Sequence, residues 1–174
     1  MNNRPLQEEY SSYYEQYIGL VPEGDINEIL AGFLKTTAEL LSDIPEAQGN
    51  YRYAPDKWSL KEVIGHINDN ERIMGYRLLR IARGDRTPLA GYDQDDLMKG
   101  VNFDSCSLSE LIEDYISVRR ATLTLIRGLS EKAWSRSGIA NDNEITARAL
   151  AYIIAGHELH HLNVIKEKYI IVRV

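Results

Sequence analysis

The chain holds a single cysteine, Cys106, so no disulfide can form within it, and that scarcity fits a reducing compartment. Apolar runs are short. None approaches the roughly 20 residues that a membrane-spanning helix needs, and no membrane partner is expected. The opening Met1-Asn-Asn-Arg-Pro lacks the apolar core of a secretion signal, so the expected location is the cytoplasm. Positive charge is also scarce: 20 Lys and Arg stand against 26 Asp and Glu, a formal net charge of -6. A protein that neutralises many phosphates needs a basic face, so nucleic acid is not an expected partner. The local run Arg77, Arg80, Arg83 and Arg86 reads as a solvated helix face. Alternating strand patterns are nearly absent, apart from the tail Ile170-Ile-Val-Arg-Val174.

What is present is helical. At 174 residues the chain is expected to form one domain, 1–174, with room for a sizeable core. Asp25-Ile-Asn-Glu28, Ser59-Leu-Lys-Glu62 and Ser107-Leu-Ser-Glu110 fit the capping-box pattern, and Thr146 is a plausible fourth cap. Trp58 and Cys106 precede two of these caps and suit hydrophobic staples on Val63 and Leu111. Apolar residues then recur at helical spacing. They are Ile29, Leu30, Phe33 and Leu40 in a first helix over about 26–41. Leu60, Ile64, Ile67, Met74 and Leu78 mark a second, ending near Gly84. Leu108, Leu111, Ile112, Tyr115, Val118, Leu125 and Leu129 mark a third. Leu150, Ile154, His157, His161 and Val164 mark a fourth. Four long helices predict an all-α four-helix bundle. A long connection, 84–106, joins helices two and three and carries Asp93-Gln-Asp-Asp96. Residues 1–22 form a tyrosine-rich segment (Tyr10, Tyr13, Tyr14, Tyr17) on or beside the bundle.

Histidine is rare too, and its distribution is uneven: three of the four fall in His157-Glu-Leu-His-His161. His157 and His161 are one helical turn apart, on a stripe whose other members are apolar, so both are expected to face inward. Buried imidazoles need hydrogen-bond acceptors or a shared metal ion. His66, beside the core position Ile67 on helix two, can supply a third nitrogen. Three histidines with an open coordination position make a catalytic type of metal site. Imidazole suits zinc, nickel, iron and copper alike, so the ion is a divalent metal of open identity. His160 points a quarter turn away and reads as a supporting or surface residue.

The same pentapeptide spells H-E-x-x-H, the zinc-protease motif. The extended form of that motif needs glycine at 164 and histidine at 167, where this chain has Val164 and Glu167. The protease reading is therefore demoted, and Glu158 is expected to be an outward or supporting residue rather than a general base. Around His66, three residues are candidates for catalysis or orientation: Asp69, Asn70 and Glu71. Glu71 falls on the apolar stripe and needs a cationic partner, with Arg77 or Arg148 the candidates. Tyr92 and Asp93, in the long connection, are candidate substrate contacts.

Three pieces carry a family likeness: Tyr51-Arg-Tyr-Ala-Pro-Asp-Lys-Trp-Ser-Leu-Lys-Glu-Val-Ile-Gly-His66, Gly91-Tyr-Asp-Gln-Asp-Asp96, and Arg148-Ala-Leu-Ala-Tyr-Ile-Ile-Ala-Gly-His-Glu-Leu-His-His161. From about residue 10 onward the chain resembles the DinB-like (DinB/YfiT) superfamily. The resemblance implies a four-helix bundle with a long link after helix two and, as a rule, a homodimer. It also implies a divalent metal held by His66, His157 and His161. It points to transfer of a low-molecular-weight thiol to an electrophilic small molecule, or to hydrolysis. On the residues themselves, hydrolysis by a metal-bound water needs Asp69, Glu71 or Glu158 as base. The tyrosine-rich segment and the lack of an unambiguous base leave a third reading open, a non-catalytic, metal-binding role in a stress response.

Overall fold

A computed structural model describes residues 4–170. Its four long helices are those the apolar spacing predicts, with three short helices and a hairpin between them. In chain order the helices are α1 (Glu15–Ile18), α2 (Ile26–Ser42), α3 (Leu60–Ala82), α4 (Gln94–Lys99), α5 (Leu108–Arg127), α6 (Glu131–Trp134) and α7 (Ala147–Val164). A π-helical turn, Ile165–Tyr169, continues α7. The expected strand-like tail lies outside the described residues beyond Ile170.

The helix starts follow local chemistry. Ser59 Oγ accepts from Glu62 N–H (3.1 Å) while Glu62 accepts from Ser59 N–H (2.7 Å), and Ser107 with Glu110 repeats the pattern at 3.2 and 2.7 Å. Thr146 caps α7 through Ala149 N–H. The third expected box forms only by half: Asp25 accepts from Asn27 N–H, and Glu28 does not reach back. Trp58 and Cys106 both pack on the apolar cluster that contains Val63 and Leu111.

Two apolar clusters fill the bundle. One holds Leu30 of α2, Met74 and Leu78 of α3, Leu123 of α5 and Ile153 of α7. The other holds Leu41, Ile64, Leu111 and Leu162 from the same four helices. Between them, each helix contributes buried polar groups: Thr37, His66 with Glu71, Arg119, and His157 with Glu158. A polar belt thus crosses the bundle between its two greasy ends. Helix α7 packs against α3, and α1 lies on α7.

One element departs from the sequence reading. Ser137–Ala140 (β1) and Asn143–Thr146 (β2) form an antiparallel hairpin with Ala140 opposite Asn143. Asn141 and Asp142 turn it with φ of 49° and 59°, the left-handed pair that a two-residue turn requires. Each strand is four residues long and carries a single branched apolar residue, too little for an alternating pattern to register. The hairpin also anchors the long connection. Leu89 N–H donates to Ile139 O and Asn141 N–H to Leu89 O, both at 2.9 Å. Gly91 lies so close to Asn141 that a Cβ there would meet its side-chain oxygen at 1.9 Å. The connection is therefore pinned, and α4 is carried to the edge of the bundle beside His157 and His161.

Candidate metal centre

Helices α3 and α7 bring three histidine rings together. His157 Nε2 lies 3.0 Å from His66 Nε2 and 3.2 Å from His161 Nε2. Among the described residues these three form a group whose ligand atoms all fall within 4.8 Å of one another. Hydrogen bonding alone cannot satisfy this cluster. An imidazole nitrogen carries either one N–H or one lone pair, so His157 Nε2 can complete only one of its two contacts. A shared cation satisfies all three. Nitrogens bound tetrahedrally at about 2.05 Å stand about 3.3 Å apart, close to the two separations found here. Burial, followed by the charge of His160, holds His66 at about 4. Burial and neighbouring imidazoles hold His161 at about 3 and His157 well below its ordinary value. All three are therefore neutral at pH 7, the form that binds a metal.

The rings are held from several sides. The Trp58 ring lies tilted at 4.8 Å from His66, and Tyr17 meets both His157 and His160 at 5.5 Å. Tyr17 reaches them because Gly156 has no side chain: a Cβ there would sit 2.1 Å from Tyr17 O. Gly65 does the same for Phe103, whose ring a Cβ would meet at 2.5 Å. Each glycine directly precedes a histidine of the cluster. The N-terminal segment is tied down in turn by Glu9, which accepts from Thr146 and pairs with Arg148 at 2.7 Å.

Two cavities open on the cluster. One, of about 310 Å³, is lined by His157, Asn70, Arg77, Tyr14, Tyr17 and Tyr92, with Asp93 at its exposed edge. The other, of about 370 Å³, is lined by His160, His161, Tyr53, Trp58, Val164 and Tyr169. Gln94 and Asp95 of α4 border both. Asn70, Tyr92 and Asp93 thus stand in the first cavity. Asn70 donates to the Tyr92 hydroxyl at 2.6 Å, and its own carbonyl oxygen is buried without a partner. Burial raises the Tyr92 and Tyr14 phenols above their ordinary values. His160 is half-buried at the second cavity rather than on open surface.

The other acidic candidates are elsewhere. Glu71 takes two hydrogen bonds from Arg119, at 2.8 and 2.9 Å, so neither Arg77 nor Arg148 is its partner. Glu158 faces inward toward α2 and α5 rather than outward. It accepts from Thr37 (2.6 Å), Tyr115 (2.7 Å) and Arg119 (2.6 Å) and is 1% exposed. Sealed in this way it cannot serve as a general base, and the protease-like motif has no protease geometry. Asp69 pairs with Arg72 and lines neither cavity. Arg77, expected on a solvated face, is 3% exposed, whereas Arg83 and Arg86 are exposed as expected. Its turn of α3 faces the pinned connection rather than water, which the spacing of arginines could not reveal.

A family model for the DinB superfamily matches residues 30–165, most of the chain. The chain belongs to the DinB superfamily. Solved structures agree on the fold. YfiT from Bacillus subtilis, described as a probable metal-dependent hydrolase with an unusual four-helix bundle topology, superposes with a TM-score of 0.68 at 19% identity, over 95% of this chain and 91% of that one. The DinB-like protein YjoA from Bacillus subtilis gives 0.60 at 19% identity, over 83% and 88%. A mycothiol-dependent maleylpyruvate isomerase gives 0.66 at 13% identity, over 83% of this chain but 61% of that longer one. Among proteins of curated function, none matches the sequence. No helix among the described residues is long and apolar enough to cross a membrane.

Proposed function

We propose that this protein is a divalent-metal enzyme that activates a low-molecular-weight thiol for transfer to an electrophilic small molecule, with His66, His157 and His161 as the ligands. The observation that carries the reading is the three-nitrogen cluster between two separate cavities. Two cavities on one centre suit a reaction with two substrates. A bound divalent ion lowers the pKa of a coordinating thiol and so supplies a thiolate at neutral pH. The S–H proton would leave to solvent, and the sulfur would bond to the electrophilic carbon of the second molecule as that carbon's leaving group departs with its bonding pair, chloride in the case of chlorodinitrobenzene. The chain's own groups bind and orient. Asn70 and Tyr92 form one wall of the first cavity, Tyr17 covers His157, and Trp58 backs His66. One neighbour on this fold, the maleylpyruvate isomerase, is mycothiol-dependent, which is consistent with the reading.

Hydrolysis by an activated water is the alternative, and it requires a base near the cluster. Glu71 and Glu158 are consumed by Arg119, Asp69 lines neither cavity, and Asp93 and Asp95 stand exposed at the cavity edge, which favours the thiol reading. A non-catalytic, metal-binding stress-response protein has no need of two cavities at the site. We further read the protein as a cytoplasmic homodimer; light scattering of the metal-loaded protein tests the oligomeric state. The activity test is consumption of cysteine, glutathione or bacillithiol with an electrophile such as chlorodinitrobenzene, in protein loaded with zinc, nickel or iron. Metal-dependent conjugation that disappears in His157→Ala is expected. Silence with every thiol and metal, alongside ester hydrolysis under the same conditions, would replace this reading with the hydrolase.

A further inference from the structure

Arg77 is a cation in the wrong place for a merely structural residue. Its side chain is 3% exposed on the inward turn of α3, yet no carboxylate among the described residues lies within ion-pair distance of it. Its partners are all neutral. It donates to Ala90 O at 2.7 Å and to the Met74 sulfur at 3.7 Å, acts on the Tyr14 phenol, and lies 5.6 Å over the Tyr92 ring. A buried charge without a counter-ion is costly, and every other buried arginine or lysine here has one: Arg119 has Glu71 and Glu158, and Lys61 has Glu46. The exception lines the cavity that reaches His157.

We infer that Arg77 is a specificity-determining residue that anchors the carboxylate of a small-molecule substrate in the cavity between Tyr14, Tyr92 and His157. The planar guanidinium matches a carboxylate in a two-point contact. Asp93 and Asp95 stand at the solvent edge of the same cavity, where water and salt screen them. Asp93 is further committed to capping α4 through Asp95 and Asp96 N–H. Arg77, surrounded by protein, is screened far less, so an anion inside the cavity feels mainly the arginine. Two tyrosine rings beside the guanidinium suit a flat or unsaturated body attached to the carboxylate. Bound in this way, the molecule has its opposite end directed to the histidine cluster. This inference rests on the proposed function only for the statement that the opposite end reacts.

The test is a pair of probes of nearly the same shape, the anion benzoate and neutral benzamide, titrated by NMR into zinc-loaded protein whose metal content is measured on the same sample. Benzoate is expected to bind at least tenfold tighter, with magnetisation transfer to the Tyr14 and Tyr92 rings. Arg77→Gln is expected to abolish the preference, and Arg77→Lys to retain part of it. Equal binding of the two probes, an undiminished preference in folded Arg77→Gln, or contacts to Tyr53 and Trp58 in place of Tyr14 and Tyr92 would each overturn the inference. The transfer measurement needs no variant and decides the matter even where Arg77→Gln fails to fold. A benzoate preference in protein that retains no zinc would defeat the metal reading and leave this one standing. Zinc retention with equal probe binding would do the reverse.

Discussion

Arg119 carries two carboxylates at once, deep in the bundle, and the consequences of removing it can be ranked. With Arg119 present, Glu71 and Glu158 share its charge, and Thr37 and Tyr115 complete the hydrogen bonding of Glu158. Arg119→Met would leave two buried carboxylates facing each other. Loss of one partner from a buried ion network typically costs roughly 3–5 kcal/mol, and that is the fall expected in urea denaturation. Replacing Arg119, Glu71 and Glu158 together by apolar residues of similar size should recover much of the loss. A triple variant no more stable than the single one would show that the network is not the source. The histidines give the pH dependence of the metal-free protein. Unfolded, each titrates near 6.5; folded, His66 lies at about 4 and His161 at about 3. Between those values the unfolded chain binds protons that the folded chain refuses. Stability is therefore full above about pH 6.5 and falls as the pH drops toward 4, by about 3 kcal/mol from His66 alone. Chelator-treated protein denatured at pH 7.5, 5.5 and 4.5 should show that fall, and His66→Gln should show a smaller one. Stability that stays level on acidification would contradict the burial of these rings.

At the scale of elements, what the sequence made legible was whatever depends on local chemistry. The Ser59 and Ser107 boxes, the Thr146 cap and the apolar stripe of α3 read correctly, because a cap and a stripe are properties of neighbouring residues, whereas in α2 the buried face is Ile26, Leu30, Thr37 and Leu41, with Ile29, Phe33 and Leu40 only half-buried. The histidine cluster was legible for the same reason, since His157 and His161 lie on a stripe whose inward direction is set by Leu150 and Ile154. The hairpin was not, because strands of four residues owe their place to α7 and to the connection they anchor. Nor was the partner of Glu71: Arg119 is 48 positions away on another helix, and only the packing of α3 on α5 selects it. Gly156 belongs with these. Its reason is the backbone of Tyr17, on an element that gives little local signal of its own. Gly156→Ala forces a Cβ against the backbone of Tyr17 and so must shift α1. An overpacking cost of roughly 1–3 kcal/mol is expected, with faster chymotryptic cleavage at Tyr13, Tyr14 and Tyr17 and with zinc still bound. Unchanged cleavage would mean that α1 does not depend on this contact.

Over the whole molecule, the polar belt divides two apolar clusters, and the histidine cluster joins α3 to α7 across that division. A metal held there would cross-link α3 to α7, and its binding free energy would add to folding. At free zinc about 100 times the dissociation constant, the gain is about 2.7 kcal/mol. For a domain of this length 1 kcal/mol moves Tm by roughly 2–4 °C, so zinc should raise Tm by roughly 5–10 °C and excess chelator should return it to its starting value. The same metal should do nothing for a His157→Ala/His161→Ala protein, whose remaining His66 cannot hold it. His160→Ala is the informative companion. The ring faces the second cavity and Tyr17 rather than the three converging nitrogens, so its loss should leave the zinc-dependent shift intact. An equal shift in the double variant would place the zinc elsewhere on the protein. A shift lost in His160→Ala would make that residue a ligand and require the cluster to rearrange around it.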